Sequence, residues 1–371
     1  MDVRKQVVDS LLALADIKVG GSNPWDIKIY DERTYEWVLK SRNLGLGEAY
    51  MEGFWECERI DEFIYRILKA RLDEKVKENL NNLLLYLFAR LFNLQSRRRA
   101  HQVAEEHYDL GNDLFTSFLD PYLQYSCAYF RDTEDLAQAQ INKMELLCTK
   151  MELKATDHVL DIGCGWGGLA KYMAERYGCS VVGINISTEQ IRFAREFCKD
   201  LPVEIRYSDY RDVSGNFDKV VSVGMFEHVG QRNYRIFMEK VHQLLKDGGI
   251  FVLQTIGGNK STVNCDAWIA KYIFPNGMLP SIAQIGKAVE GLFVIEDWHN
   301  LGPHYDKTLI SWHKNFVQAW PKLKESYSER FRRMWEYYLL SCAGAFRARH
   351  IQLWQIIFTK IGTPQPRYCH R

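Results

Sequence analysis

The sequence predicts an α/β fold, a mostly parallel sheet with helices on both faces, preceded by a small, mostly helical N-terminal region. Three observations predict it. From about residue 155 short apolar runs alternate with helix-length patterns, the rhythm of strand–helix–strand units. The first of these runs, "HVLDIG", breaks into the glycine-rich turn "GCGWGG", and a helical pattern follows at once. Residues 1–95 read instead as short helices and loops. The expected division is therefore an accessory domain over 1–95 and a main domain over 96–371.

Taken in order, "GGSNPWD" is a turn, and the stretch from Asp61 to about Ala100 is helical in character. Its end is unusual: Leu83 to Ala89 is apolar nearly all round, Leu91, Phe92 and Leu94 follow, and Arg97, Arg98 and Arg99 close it. A core helix with cations at its negative pole accounts for this, and is the plainer account. A helix lying on an anionic membrane also accounts for it, with apolar side chains among the acyl chains and arginines at the headgroups. Beyond "HVLDIG" comes a helix from Gly168, the strand "SVVGIN", the helix "STEQIRFAREFCKD" and the strands "VEIRYSD" and "FDKVVSVG". The helix "RNYRIFMEKVHQLLKDGG" leads to the strand "GIFVLQTIG". "FVIEDWHNLG" and "IQLWQIIFTK" supply two more strands, separated by two long helical patterns. There is no internal repeat and no low-complexity tract.

With 371 residues the chain can bury a full core. A formal net charge of +1 excludes a polyelectrolyte binder, so no nucleic-acid partner is expected and any membrane attraction must be local. The nine cysteines are scattered, odd in number and contain no C-x-x-C, which argues against a disulfide framework or a zinc ribbon and for a reducing cytosol. Asp9 and Asp16 interrupt the apolar part of the N-terminus, so it does not read as a secretory signal, and no run is long enough to span a bilayer.

The glycine turn raises the question of which nucleotide it holds. Gly163, Gly165 and Gly168 satisfy the G-x-G-x-x-G spacing of dinucleotide sites, a weak signal alone. Asp161 just ahead of the glycines gives a D-x-G-x-G pattern, which resembles motif I of the S-adenosylmethionine-dependent methyltransferases. That resemblance implies a Rossmann-like class I methyltransferase sheet. Its second strand normally ends in an acid that accepts from the ribose hydroxyls. Here Asn185 stands there, able to accept through its carbonyl but without charge.

Longer words narrow the resemblance. "EEHYDLGNDLF" and "YSCAYF" precede the glycine turn, and "VSVGMFEHVG" ends the fourth strand. "WIAKYIFPNGMLPS", "EDWHNLGPHYDKTL" and "CAGAFRARHIQLWQ" follow. In this order they closely resemble the cyclopropane-fatty-acyl-phospholipid synthases of the mycolic acid cyclopropane synthase superfamily. The resemblance implies transfer of a methyl carbon from S-adenosylmethionine to a cis double bond of a phospholipid acyl chain, with ring closure and a bound bicarbonate as base. It implies a bicarbonate pocket of Cys127, Glu227, the backbone of Ile256 and Tyr305. Gln254 stands where the family has a histidine; it can donate a hydrogen bond but cannot relay a proton. The same resemblance brings Tyr125, Ser126, Asp161, Gly163, Gly165, Asn185, Ser187 and Gln190 to S-adenosylmethionine, and Tyr210 and Arg211 near its adenine. It also implies a homodimer, membrane phospholipids with unsaturated chains as partners, and a cytoplasmic protein attached to the inner face of the membrane.

Each residue has a plainer explanation. A buried cysteine is usually a small hydrophobe; Cys127, between two tyrosines in a family word, is taken as functional, and Cys342 in "EYYLLSCAGAF" as packing, with a nucleophile as the rival. A surface acid or a helix N-cap partner is the plainer account of Glu227 at a strand end, but strand ends beside a nucleotide crevice are where ligands bind. Tyr305 follows its family word, Glu296 is evenly divided between orienting the pocket and pairing with a cation, and His228 and His299 are structural. Two other functions fit part of the vocabulary: a methyltransferase acting on a small amine, and an inactive scaffold at a membrane surface. The N-terminal region speaks against the first and the intact polar set against the second.

Overall fold

The computed structural model describes residues 3–72, 111–263 and 265–369. The expected apolar helix Leu83–Leu94 and its arginines lie outside the described residues. Numbered along the chain, the strands are β1 (Lys28–Ile29), β2 (Trp55–Glu56), β3 (His158–Ile162), β4 (Ser180–Asn185), β5 (Val203–Tyr207), β6 (Phe217–Val223), β7 (Leu245–Gly258), β8 (Phe293–Asn300) and β9 (Ile351–Lys360). The helices are α1 (Val3–Ala13), α2 (Arg33–Met51), α3 (Ile60–Lys69), α4 (Asn112–Phe118), α5 (Leu136–Lys150), α6 (Gly168–Tyr177), α7 (Thr188–Phe197), α8 (Tyr234–Leu244), α9 (Ala267–Tyr272), α10 (Ile282–Val289), α11 (Gly302–Leu323) and α12 (Glu329–Arg347).

The described residues form two compact units, and these depart from the linear division expected at residue 95. One unit takes the described residues of Met1–Phe88 together with Asn264–Pro275 and Tyr305–Ile351. The N-terminal helices have too little apolar surface to make a core alone, so they share one with α9 and α12. Trp55, Phe63, Tyr50, Tyr337 and Trp268 interlock there, with ring centroids 4.8–5.7 Å apart. Close approach of α12 to α3 depends on Gly344: a Cβ on it would stand 2.4 Å from the Asp61 carbonyl oxygen and 3.0 Å from Ile64 Cβ. The small residues of "SCAGAF" are therefore a packing seam. Beside it Arg347 joins Asp61 of α3 (2.7 Å) to Asp306 (2.9 Å), the residue after Tyr305. A two-residue ribbon pairing β1 with β2, too short to register as a pattern, was not expected from the sequence.

The second unit, from Ala89–Val263, Asn276–His304 and Gln352–Arg371, holds a seven-stranded sheet in the order β5-β4-β3-β6-β7-β9-β8. β5, β4, β3, β6 and β7 run parallel, and β8 and β9 pair antiparallel. The strand runs are continuously apolar because both faces are covered. One face packs Leu160, Ile162, Phe251 and Leu253 against Phe237 and Val241 of α8. The other packs Val159, Val221, Ile250 and Val252 against Leu147 of α5 and Met173 of α6. Sequence signals set several helix starts: Asp135 caps α5 through Gln138 N–H (2.8 Å), and Ser281 and Gln284 form a capping box on α10. The helix expected to run on to Gly248 stops at Leu244, and β7 takes up the chain from there. No helix among the described residues is long and apolar enough to cross a membrane.

The seam makes a direct test. Gly344→Ala should destabilise the protein by about 1–3 kcal/mol, because the added methyl must push α3 away. Gly286→Ala on α10, where an added Cβ meets nothing within 4 Å, should be neutral or slightly stabilising. Urea denaturation of the two variants beside the parent checks the contrast, and equal midpoints would remove the seam.

Candidate functional site

The sheet order reverses between β3 and β6, and a crevice opens beyond the carboxyl ends of strands at such a point. A cleft of about 180 Å³ lies there, lined by the turn after β3, the ends of β4 and β6, and the segment 123–126. Gly163 takes φ +86°, a conformation open to glycine, and a Cβ on it would come within 2.8 Å of the Met225 side chain. Gly168, at the start of α6, lies so close to the Tyr122 carbonyl that a side chain there has no room.

Most of the residues expected at the cofactor line this cleft: Tyr125, Ser126, Asp161, Gly163, Gly165, Asn185, Gln190, Tyr210 and Arg211. Ser187 does not. It is buried as the N-cap of α7, its hydroxyl accepting from Gln190 N–H at 3.4 Å. Asn185 also differs from expectation. Its carbonyl oxygen already accepts from Ile186 N–H (2.7 Å) and Ser187 N–H (3.3 Å). Its NH2 donates to the Gly165 carbonyl (3.2 Å) and to Gln190 Oε1 (2.8 Å). Asn185 thus fixes the cleft wall, as a side chain that can satisfy nearby backbone will do. Arg211 is held by Asp209 through two bonds of 2.8 Å, and Tyr210 packs on Phe237.

Sequence reasoning missed what lies beneath Ser126. Lys143 of α5 is wholly buried and donates to Gln124 Oε1 and to Ser126 Oγ (3.1 Å). Gln140, one turn away, donates to the carbonyls of Gln124 (3.2 Å) and Ser126 (2.9 Å). Asp120 accepts from the N–H groups of Tyr122 and Gln124, both at 2.8 Å. Segment 120–126, which walls the cleft, is therefore clamped on three sides. Burial pulls the Lys143 ammonium down to about 8, while Asp120, Cys127 and Asp161 draw it back. Burial raises Asp161, and Lys143 offsets part of that. Asp161 Oδ2, in the cleft wall, has no hydrogen-bond partner among the described residues.

A second polar group sits at the end of β6 and β7. Ile256 N–H donates to Glu227 Oε1 at 2.7 Å. Burial pushes the Glu227 carboxyl up to about 7, against the pull of the Ile256 bond and, more weakly, of its own backbone N–H and the Thr255 hydroxyl. Two residues before Ile256, on the same face of β7, Gln254 is 1% exposed. Its Oε1 accepts from Gln355 Nε2 at 2.8 Å. Glu227 Oε2 and Gln254 Nε2, an acceptor and a donor, are left buried with no hydrogen-bond partner among the described residues. Buried polar atoms without partners are rare and call for an explanation.

The structure brings Glu227 to Ile256, and Gln254 lies two residues before Ile256 on β7. Cys127 is fully buried in the same unit, its sulfur 3.2 Å from the Ala128 carbonyl. Glu296 sits at a bulge in β8 and accepts from Thr359 Oγ1 at 2.6 Å, so its partner is a hydroxyl rather than a cation. Tyr305 and Cys342 belong to the other unit. Tyr305 stacks on Phe346, centroids 4.6 Å apart. Burial pushes the Cys342 thiol up to about 12, far from the thiolate a nucleophile requires. His228 lines the cleft and is driven down to about 4 by burial, so it is neutral there.

Comparison with known proteins agrees with this geometry. A family model for mycolic acid cyclopropane synthetase matches residues 95–356. The cyclopropane-fatty-acyl-phospholipid synthase of Escherichia coli (strain K12) is 52% identical over 355 residues, which cover 96% of this chain and 93% of that protein. The tuberculostearic acid methyltransferase UfaA1 of Mycobacterium tuberculosis (strain ATCC 25618 / H37Rv) is 36% identical over 343 residues, 86% of this chain and 80% of that protein. The crystal structure of the mycolic acid cyclopropane synthase CmaA1 complexed with SAH and CTAB is 31% identical, with a TM-score of 0.66, and covers 70% of this chain and 98% of that one. The sheet is that of the class I S-adenosylmethionine-dependent methyltransferases. This chain belongs to the mycolic acid cyclopropane synthetase family.

Proposed function

We propose that this chain transfers the methyl carbon of S-adenosylmethionine to a cis double bond in a membrane phospholipid acyl chain and closes a cyclopropane ring, with bicarbonate as the base. The observation that carries the base is the unpartnered pair Glu227 Oε2 and Gln254 Nε2. A buried acceptor and a buried donor at the ends of neighbouring strands suit a small ligand that has both a hydroxyl and anionic oxygens. Bicarbonate is such a ligand; chloride is not. The relatives named as a phospholipid synthase and as cyclopropane synthases support the lipid substrate and the ring.

When bound, S-adenosylmethionine supplies an electrophilic methyl group and bicarbonate a base for the proton that must leave. The residues of the chain bind, orient and exclude water. An alkene is a weak nucleophile, so holding it against the methyl carbon in a dry site supplies much of the rate. Gly163 and Gly165 let the backbone approach the cosubstrate, and segment 123–126 closes over it on the Lys143 clamp. Glu227, buried and tied to Ile256 N–H, orders the proton-accepting end together with Gln254, and Cys127 belongs to the same unit. Glu296 is taken up by Thr359 Oγ1, and Cys342 takes no part as a nucleophile. The chain acts as a homodimer on the inner face of the membrane.

Three outcomes test this. With carbon dioxide stripped from the buffer, conversion of an unsaturated phospholipid, followed by product mass spectrometry, should fall at least tenfold and return when bicarbonate, but not chloride, is added. Undiminished conversion in stripped buffer would overturn the base.

Glu227→Gln should lower turnover by roughly 100-fold or more and leave S-adenosylmethionine affinity, by calorimetry, within about twofold. The variant should also change the pH dependence of stability. With its carboxyl raised to about 7, the folded chain holds that proton more tightly than the unfolded chain, so the stability it gives is present below the unfolded pKa and lost as pH rises to about 7. The parent should therefore lose roughly 3 kcal/mol relative to Glu227→Gln between pH 4.5 and 8. Parallel stability curves would show that Glu227 is not perturbed.

Lys143→Met should weaken S-adenosylmethionine binding about tenfold, on the usual scale of a lost hydrogen bond to a charged group. Unchanged affinity would confine the clamp to folding.

A further inference from the structure

"CAGAFRARHIQLWQ" ends in a residue that the reaction has not yet used. Gln355 lies in the middle of β9, fully buried, between Trp354 and the run Ile356, Ile357 and Phe358, all of them 2% exposed or less. Apolar side chains fill the strand around it. Its Nε2 donates to Gln254 Oε1 at 2.8 Å, while its own Oε1 has no partner among the described residues. An amide buried in an apolar strand with one end unsatisfied costs stability. Packing alone therefore does not explain a glutamine at this place.

We propose that Gln355 is a positioning residue that fixes which end of the Gln254 amide is presented to the anion. The terminal torsion of a glutamine is broad and roughly two-fold, so its oxygen and its NH2 exchange places easily. The two ends are opposite in meaning for a ligand. With NH2 presented, Gln254 offers a donor to complement the Glu227 acceptor. With Oε1 presented, the pocket holds two acceptors and repels an anion. The bond from Gln355 takes up Gln254 Oε1 and leaves Gln254 Nε2 as the end without a partner. A histidine has two fixed ring nitrogens and a glutamine does not, so an amide at position 254 needs such an anchor. The inference rests on the reading of Glu227 and Gln254 as a bicarbonate site.

The test uses the full chain in carbon-dioxide-free buffer, with binding of [13C]bicarbonate followed by NMR line broadening. S-adenosylmethionine affinity by calorimetry runs alongside. Gln355→Met, which keeps the volume and removes the donor, should weaken bicarbonate binding tenfold or more and leave S-adenosylmethionine affinity within about twofold. In turnover, the KM for bicarbonate should rise by a larger factor than kcat falls. Gln254→Met combined with Gln355→Met should bind bicarbonate no more weakly than Gln254→Met alone, because one residue acts through the other. No bicarbonate binding by the parent would remove the anion site itself, and the role of Gln355 with it. Binding by the parent and equally by Gln355→Met would overturn the positioning role alone. Additive losses in the double variant, or loss of S-adenosylmethionine binding in Gln355→Met, would show an independent or merely structural residue.

Discussion

The 2.7 Å hydrogen bond from Ile256 N–H to Glu227 Oε1 joins two parts of the chain that the chemistry needs side by side. Glu227 comes from the short turn after β6, and Ile256 from the last residues of β7. The two strands are parallel neighbours, so their carboxyl ends meet at one rim. A buried carboxyl is costly unless something holds it. Here one oxygen is held by the backbone, and the other has no partner among the described residues. Without the parallel register of β6 and β7 neither condition would be met, and the carboxyl would have no reason to stay in the interior.

The same register brings the polar residues of the site onto one face of the sheet. Side chains alternate along a strand. On β3, Leu160 and Ile162 pack toward α8, which leaves Asp161 facing α5 with Val159. On β7, Ile250 and Val252 share the α5 face, and Gln254 continues their line. On β9, Ile357 belongs to that face, and Gln355 lies two residues before it. The α5 face thus carries Asp161, Gln254 and Gln355, and α5 itself brings Lys143. In the corresponding layers the α8 face is mostly apolar, with the hydroxyls of Ser222 and Thr255 as polar exceptions. One face supplies the packing that holds the sheet, while the other gives up some of its packing to chemistry.

Much of this was legible in the sequence, because the residues that line the cleft and those around Glu227 sit in short contiguous words. The glycines after β3, the turn holding Glu227 and the end of β7 each sit in one run, and a strand end followed by a turn marks each. Lys143 was not legible. It lies in "LAQAQINKMELLCTK", an ordinary helical pattern in which a lysine reads as solvent-facing, and only the packing of segment 120–126 over it makes it buried. Gln355 was hidden for the same kind of reason: its meaning is a single contact with a strand 101 residues earlier. The spatial units were also out of reach of a linear division, since a core shared by α3 and α12 is a long-range fact. Its sequence trace is one glycine, Gly344, among several small residues.

Two positions where the resemblance leads one to expect an acid or a base carry amides instead, and the structure treats both alike. Asn185 has its oxygen on two backbone N–H groups and its NH2 on Gly165 and Gln190. Gln254 has its oxygen on Gln355. A charged residue at such a place acts over distance and tolerates some play, because Coulomb attraction falls off slowly in a dry interior. An amide acts only through directed hydrogen bonds. It must be aimed, and each of these two is aimed by a neighbour that fixes one end. The substitutions therefore exchange charge for geometry. That exchange moves the formal charge of the site onto Asp161, Lys143 and Glu227. Burial brings all three toward neutrality near pH 7, and Lys143 and Glu227 are each held by hydrogen bonds to the chain.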